Sequence, residues 1–486
     1  MTLEGLEPRR VFYYFETLSG IPRGSGNEKA ASDYLVEFAK KHGFPAEQDD
    51  SGNVIIRKSA SPGCENAPVV MLQNHIDMVC EKIPEVEFDF ETDSLSLVVD
   101  GDVIRANGTS LGADNGIGLA VALAILEDDT LVHPPLEVVC TVGEEIGLVG
   151  AQAMDMSGLQ AQYAINSDSF TMEMVQTGCA GCVYTIAELP LIWQDSGSFD
   201  TGMRIIVGGL AGGHSGLDTC RQRANANKLM GRILDALRSA GITFALAAYA
   251  CNNKDNAIAR DAECTVVISS RDKEAAQSAV DAIAAAIKRE HEATDPDFTC
   301  KVHWGDAPQK VFSQSCTDKA VTYLMLVPDG MFQKDFRYGD PFLAESSSNL
   351  GRVILESDKL VFRSMVRANF ESRKSEVLRK MKLLTGLLGM SDRTAANSPT
   401  WEFDPDSGLL TVLHETCREL FGKTMRAAIS HGTCECGYIK EKTGADVISI
   451  GPEIRHLHSP REEVDIRSVK ALYDINVRIL EKLAGK

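Results

Sequence analysis

His75 and Asp77 stand two residues apart in the apolar run "MLQNHIDMVC". Side chains alternate along a strand, so an extended run projects both toward one side, where an imidazole and a carboxylate can share one task. Four further segments supply groups of the same kind. Asp114 lies in "LGADNGIGLA", Glu144 and Glu145 in "TVGEEIGLVG", Asp168 in "INSDS", and His456 and His458 in "GPEIRHLHSPREEV". Each has an ordinary explanation when taken alone. Asp114 reads as a helix N-cap, paired glutamates as a solvated loop, and a single histidine as a structural one. Together they do not, because so many carboxylates gathered at one place repel each other unless cations are present. Borderline divalent metals take imidazole and carboxylate ligands, and two ions about 3.5–4 Å apart are held readily when one carboxylate is shared. Two histidines and three carboxylates suffice for two ions, and one carboxylate remains as a base.

These residues need a scaffold that brings them to one edge. From Leu6 to about Trp193, helical patterns such as "EKAASDYLVEFAKKHG" alternate with apolar strands such as "APVVMLQNHIDMV" and "PLEVVCTVGEE". That alternation predicts an α/β layer with a mostly parallel sheet. Catalytic groups in such sheets collect at the carboxyl ends of the strands. The polar stretch within "LPLIWQDSGSFDTGMR" reads as a linker. Beyond it, strand, helix, two strands, helix and strand follow in the ferredoxin-like order, and a second, looser round follows in turn. Near Ala395, "AANSPTWEFDPDSG" returns the chain to an α/β pattern. The expected organisation is therefore a catalytic α/β/α domain in two parts, 1–194 and 395–486, interrupted by an α+β domain at 195–394.

At 486 residues the chain is long enough for two domains, and 44% hydrophobic residues suit a folded one. Acids outnumber bases 69 to 49, a formal charge of -20. Such a field repels nucleic acid and anionic membranes and attracts cations. The opening residues lack the apolar core of a signal peptide and no run reaches membrane-spanning length, so a cytoplasmic protein is expected. Thirteen cysteines, several in apolar runs (Cys80, Cys140, Cys264), predict buried reduced thiols rather than a disulfide framework. Cys179 and Cys182 have the two-residue spacing of zinc and redox sites, but no second such pair follows.

Other catalytic motifs fail on single residues. Leu217 breaks a nucleophile elbow in "GGHSGL", Cys417 takes the place of the first glycine of a P-loop ending in "FGKT", and Val121 that of the third glycine of a dinucleotide loop. The ordered segments "NHIDM", "LGADNGIG", "GEEIGLVGA", "INSDS" and "HSP", by contrast, resemble those of the M20 family of metallopeptidases nearly end to end. "ANANKLMGRIL", "SSSNLGRV" and "RSMV" resemble in particular its aminoacyl-histidine dipeptidase (Xaa-His dipeptidase, carnosinase-type) branch.

The resemblance implies a cytoplasmic hydrolase that cleaves dipeptides such as β-Ala-His and Gly-His through a hydroxide bridging two divalent ions, zinc first, with manganese or cobalt as alternatives. It implies that His75 and Asp168 hold one ion, Glu145 and His458 the other, and Asp114 both. Asp77 would orient the His75 ring, and Glu144 would be the general base. His214, in "LAGGHSG", would stabilise the oxyanion, and Asn256 and Arg363 would contact the substrate carbonyl and carboxylate. A homodimer through the inserted domain is also implied. The alternatives are an aminoacylase, deacylase or carboxypeptidase of the same superfamily, or a non-catalytic metal-binding protein. Two departures bear on the pocket: Gly143 stands where the branch tends to have Asp, and "HGTCECG" replaces "HAGLECG".

Overall fold

The structure, a computed structural model, describes residues 2–337 and 343–485. The chain forms two compact units. The first comprises Met1–Cys179, Trp401–Ile429 and Cys434–Lys486, and the second Ala180–Thr400 and Ser430–Thr433.

Among the described residues, the first unit is built on an eight-stranded sheet in the order Ala46–Gln48, Val54–Lys58, Leu136–Thr141, Val70–His75, Tyr163–Asn166, Asp446–Ser449, Met174–Cys179, Arg426–Ser430. Its four middle strands run parallel, and the strands that pair at their flanks run antiparallel. Both faces are covered, as the continuous apolar strands require. Val54, Ile56, Val70, Leu72, Val138 and Cys140 face one core with Phe12, Leu35, Leu123, Leu413 and Leu472 of the helices. The alternate residues Ile55, Met71 and Val139 face a smaller core with Ile439 and Cys436. This is the expected α/β/α layering.

Helix Ala113–Glu127 is buried on all sides from Asn115 to Leu126, so it is a core element rather than an amphipathic surface helix. A small sheet completes the unit, in which Ile454–Arg455 and Glu463–Asp465 form an antiparallel hairpin whose loop carries His458.

The second unit contains a nine-stranded antiparallel sheet. Thr201–Gly208, helix Ala226–Ser239, Phe244–Cys251, Ala262–Ile268, helix Lys273–Glu290 and Thr299–Asp306 make one ferredoxin-like round, with its fourth, first, third and second strands side by side. Gly181–Pro190, helix Gln314–Leu326, Ala344–Leu355, Lys359–Ala368, helix Glu371–Leu388 and Ser391–Ser398 make a second with the same neighbour order. The first round is inserted between the first strand and first helix of the second, and the two share one sheet through Ala250–Cys251 and Val353–Ile354.

Three particulars differ from the sequence reading. The chain passes into the second unit at Ala180, not near residue 195, because Gly181–Pro190 pairs along its length with Lys359–Ala368. Part of the expected linker, Trp193–Asp195, pairs with Lys310–Phe312. Cys80 is exposed while Cys140 and Cys264 are buried, because the strand ends at His75 and the chain has left the core by residue 80.

Candidate metal centre

The parallel strands bring their ends into register. His75 lies beside Thr141, Gln73 beside Asn166, and Asn166 beside Ser449. The loops that leave these ends carry Asp77, Glu144 and Glu145, Asp168 and, through the hairpin, His458. His75 Nε2 is 3.0 Å from Asp114 Oδ1 and 3.4 Å from Asp168 Oδ1. His458 Nε2 is 3.4 Å from Asp114 Oδ2 and 3.0 Å from Glu145 Oε1. One oxygen of Asp114 thus faces each histidine. Donor atoms of His75, Asp114 and Asp168 lie within 4.8 Å of one another, as do those of Asp114, Glu145 and His458, and those of His75, Glu144 and Glu145.

The spacing suits a cation better than it suits the side chains alone. Ligands about 2.0–2.2 Å from one tetrahedral ion sit roughly 3.3–3.6 Å apart. Glu145 Oε1 is buried with His458 Nε2 3.0 Å away, so a His458 that carries no proton on that nitrogen leaves the oxygen without a donor and a cation fits between them.

The electrostatics agree. Burial pushes the Asp168 carboxyl up to about 7, with the Asp114 charge adding to the effect. Burial, and then the Asp168 charge, lift Glu144 well above the ordinary carboxylate range. Asp114 is held far below it despite its burial, because His458 and His75 bond to it. Asp114 and Glu145 raise the His458 imidazole to about 10. Burial alone would lower His75, but Asp168, Asp114 and Asp77 carry it well above an ordinary histidine. Without cations, protons neutralise the cluster.

Asp77 does more than orient a ring. The strand ends at His75, so Asp77 stands in the loop beyond it, yet His75 Nδ1 lies 3.1 Å from its carbonyl oxygen and 3.3 Å from Oδ1. The same carboxylate accepts the backbone N–H groups of Glu144 (3.0 Å) and Glu145 (3.2 Å) and the Ser25 hydroxyl (2.8 Å). Burial would raise Asp77, but the bonds from His75, Ser25 and Glu144 outweigh it and bring it to about 2. One anion therefore aims His75 and fixes the backbone that presents Glu144 and Glu145.

Asp114 is not the cap of its helix. Its backbone is extended (φ -81°, ψ 111°) and it makes no capping bond. The N–H groups of Leu111, Gly112 and Ala113, in the turn just before it, are taken by Glu462. Of the two histidines in this loop, His458 is the one whose Nε2 reaches Asp114 and Glu145.

The remaining candidates, His214, Asn256 and Arg363, belong to the second unit. His214 Nδ1 accepts the N–H groups of Gly216 (3.3 Å) and Leu217 (3.2 Å), so Nε2 carries the ring proton. Burial, then Arg367, lowers its pKa and keeps the ring neutral. Asn256 has an exposed side chain, and its carbonyl accepts the Ser215 N–H. Arg363 forks onto Asp255, with Nε 3.0 Å from both oxygens and Nη2 2.6 Å from Oδ2, so its donors are engaged inside the protein. Arg367, four residues further along the same strand, is buried and close to His214.

Sequence reasoning missed Arg23, Glu462 and Glu435. Glu435 is fully buried and accepts from Gln73 Nε2 (2.5 Å) and Thr141 Oγ1 (2.8 Å). Glu462 was within reach of a motif reading, four residues past His458; Arg23 sits in "IPRGSG", which carries no such signal.

A model of peptidase family M20/M25/M40 matches residues 71–482. The chain belongs to this family. As an M20 peptidase it is a hydrolase. A cytosol non-specific dipeptidase of Escherichia coli K12 is 32% identical over 487 residues, covering 100% of this chain and 99% of that protein. The crystal structure of an aminoacylhistidine dipeptidase from Vibrio alginolyticus matches with a TM-score of 0.89 at 30% identity, covering 99% of this chain and 98% of that one. A tripeptidase from Staphylococcus aureus shares the fold at 16% identity, with a TM-score of 0.59 and coverage of 99% and 100%.

Metal ligation requires deprotonated imidazole nitrogens and carboxylates. With His458 raised to about 10 and His75 lifted well above an ordinary histidine, the metal-free site holds protons at pH 7 that a cation must displace. Titration calorimetry at pH 7 in two buffers of different ionisation enthalpy will show proton release on adding a divalent metal, and affinity that rises with pH. Binding with no proton release would contradict this electrostatic picture.

Proposed function

We propose that the protein is a metal-dependent dipeptidase that cleaves the single peptide bond of short substrates, Xaa-His dipeptides such as β-Ala-His and Gly-His among them. The observation that carries this reading is Asp114, whose two oxygens face two separate groups of ligands with Glu144 beside them. The family and the two full-length relatives, both called dipeptidases, support it.

In this reading His75 and Asp168 hold one divalent ion, Glu145 and His458 a second, and Asp114 both. When bound, the ions supply Lewis acidity that acidifies a shared water and polarises the peptide carbonyl; zinc is the proposed metal, with manganese and cobalt accepting the same ligands. Asp77 keeps the His75 proton on Nδ1, so that Nε2 faces the centre. Glu144 accepts a proton from the attacking water and passes it to the leaving amine. The buried, crowded setting that lifts its proton affinity makes it a competent carrier. His214, with its proton on Nε2, donates to the developing oxyanion. For the free carboxylate of the substrate Arg363 is proposed, its guanidinium exchanging Asp255 for the substrate; Asn256 is proposed to contact the carbonyl.

The experiment is chelation followed by add-back of zinc, manganese or cobalt, with metal content measured in parallel. The readout is a panel of β-Ala-His, Gly-His, Gly-Leu, N-acetyl amino acids and a tripeptide. Dipeptide hydrolysis that vanishes with the metal and returns with it is expected; hydrolysis confined to N-acylated amino acids would reject the dipeptidase in favour of an aminoacylase. Glu144→Gln is expected to retain its metal while kcat falls about 10²–10⁴-fold, and unchanged turnover would remove Glu144 from the base role.

We also propose a cytoplasmic location and a homodimer through the second unit. Helix Glu371–Leu388 leaves Leu383 and Leu387 62% and 86% exposed, one helical turn apart, beside Ser391–Ser398 at the sheet edge. Exposed apolar side chains next to an edge strand, which pairs on one side only among the described residues, are features of association surfaces. Light scattering should give twice the chain mass for the wild type and the single-chain mass for Leu387→Arg. A monomeric wild type would reject the dimer.

A further inference from the structure

Three stretches of chain that supply the metal centre meet at the peptide units around Gly112. Arg23, 1% exposed, donates from Nη1 to the carbonyls of Ile76 (2.8 Å) and Asp77 (3.2 Å) and from Nη2 to that of Gly112 (2.5 Å). Glu462, 3% exposed, accepts at Oε2 from the N–H of Leu111 (2.8 Å) and Gly112 (3.0 Å), and at Oε1 from those of Ala113 (2.8 Å) and Asp114 (3.5 Å). Gly112 is therefore held at its carbonyl by one buried charge and at its amide by the other. It has φ +66°, and a Cβ there would lie 2.5 Å from Arg23 Nη2 and 2.8 Å from Met78 Sδ, so the close approach depends on glycine.

We propose that Arg23 and Glu462 form a two-sided clamp that positions Asp114 between its two groups of ligands. Arg23 ties the Asp114 turn to the loop after His75, and Glu462 ties it to the hairpin loop that carries His458. The geometry implies coupling between the three segments: shifting the turn moves the one carboxylate common to both groups. Buried charges are costly unless paired and hydrogen-bonded, and these two find their partners mainly in the backbone of the turn and the His75 loop. A positive and a negative charge placed together also let the clamp grip the Gly112 carbonyl and four amides of the turn without adding net charge beside a crowded anionic cluster. Both are positioning residues: neither is placed in contact with substrate.

The expected effect on metal rests on the two-ion reading of the site; the clamp itself can be tested without metal. Glu462→Gln turns an amide NH₂ toward backbone donors, Glu462→Asp keeps a carboxylate at shorter reach, and Leu472→Ala removes a buried apolar side chain of helix Ile466–Leu483 from the same core. Each variant is compared with wild type by amide hydrogen exchange at residues 111–113 in the metal-free protein, by Mn²⁺ titration calorimetry, and by kcat and KM on Gly-His.

For Glu462→Gln, exchange at 111–113 should rise by about tenfold or more relative to helix Ala113–Glu127. Mn²⁺ affinity and kcat should each fall about 10–100-fold, with KM within about threefold of wild type. Glu462→Asp should recover part of the loss and gives the same readouts if Glu462→Gln fails to fold. Leu472→Ala should lower the melting temperature and keep wild-type affinity and kcat. Wild-type exchange at 111–113 in Glu462→Gln would overturn the clamp, as would wild-type affinity and kcat, or an equal loss in Leu472→Ala. If the wild type takes up no Mn²⁺, the two-ion reading fails, and the exchange data alone decide on the clamp.

Discussion

The structure is organised around a repulsion. Asp114, Glu144, Glu145 and Asp168 crowd together at the carboxyl ends of parallel strands, where burial and the neighbouring charge drive Asp168 up to about 7 and lift Glu144 further above its usual range. A folded chain keeps such a cluster only when something compensates it. In the metal-free protein the compensation comes from protonated His75 and His458; in the proposed working state it comes from two divalent cations. The -20 net charge of the chain adds a long-range field that favours cations over anions at the surface.

The fold meets that requirement by dividing labour among anions. Asp77 bonds to one histidine and holds the backbone of both glutamates. Glu462 takes the backbone N–H groups of the turn that leads into Asp114, whose two oxygens face His75 and His458. Glu435 holds Gln73 and Thr141 beneath the strand ends. The proposed ligands are few, and the residues that hold them in place are nearly as many.

The sequence makes the candidate ligands legible because their types are chemically restricted and their local contexts are short. An imidazole and a carboxylate two apart at the end of an apolar strand, or an aspartate between glycines at the start of an apolar helix, can be read one segment at a time. The α/β layering and the ferredoxin-like order are likewise written in local periodicity. What binds one segment to another is not. Arg23 and Glu462 lie 439 residues apart and meet only at Gly112. The fork between Arg363 and Asp255 depends on a loop folding against a strand over a separation of 108 residues. The crossing at Ala180 follows from strand pairing, which overrode the polar composition near residue 195. Cys80 is misread for a similar reason, since the apolar run continues in sequence after the strand has ended in space.

The central claim, that one aspartate is shared by two adjacent cations, is tested most directly by anomalous X-ray diffraction at the zinc edge from crystals of the zinc-loaded protein. The account predicts two peaks about 3.5–4 Å apart on either side of the Asp114 carboxylate. A single peak, or two that do not both adjoin Asp114, would contradict it.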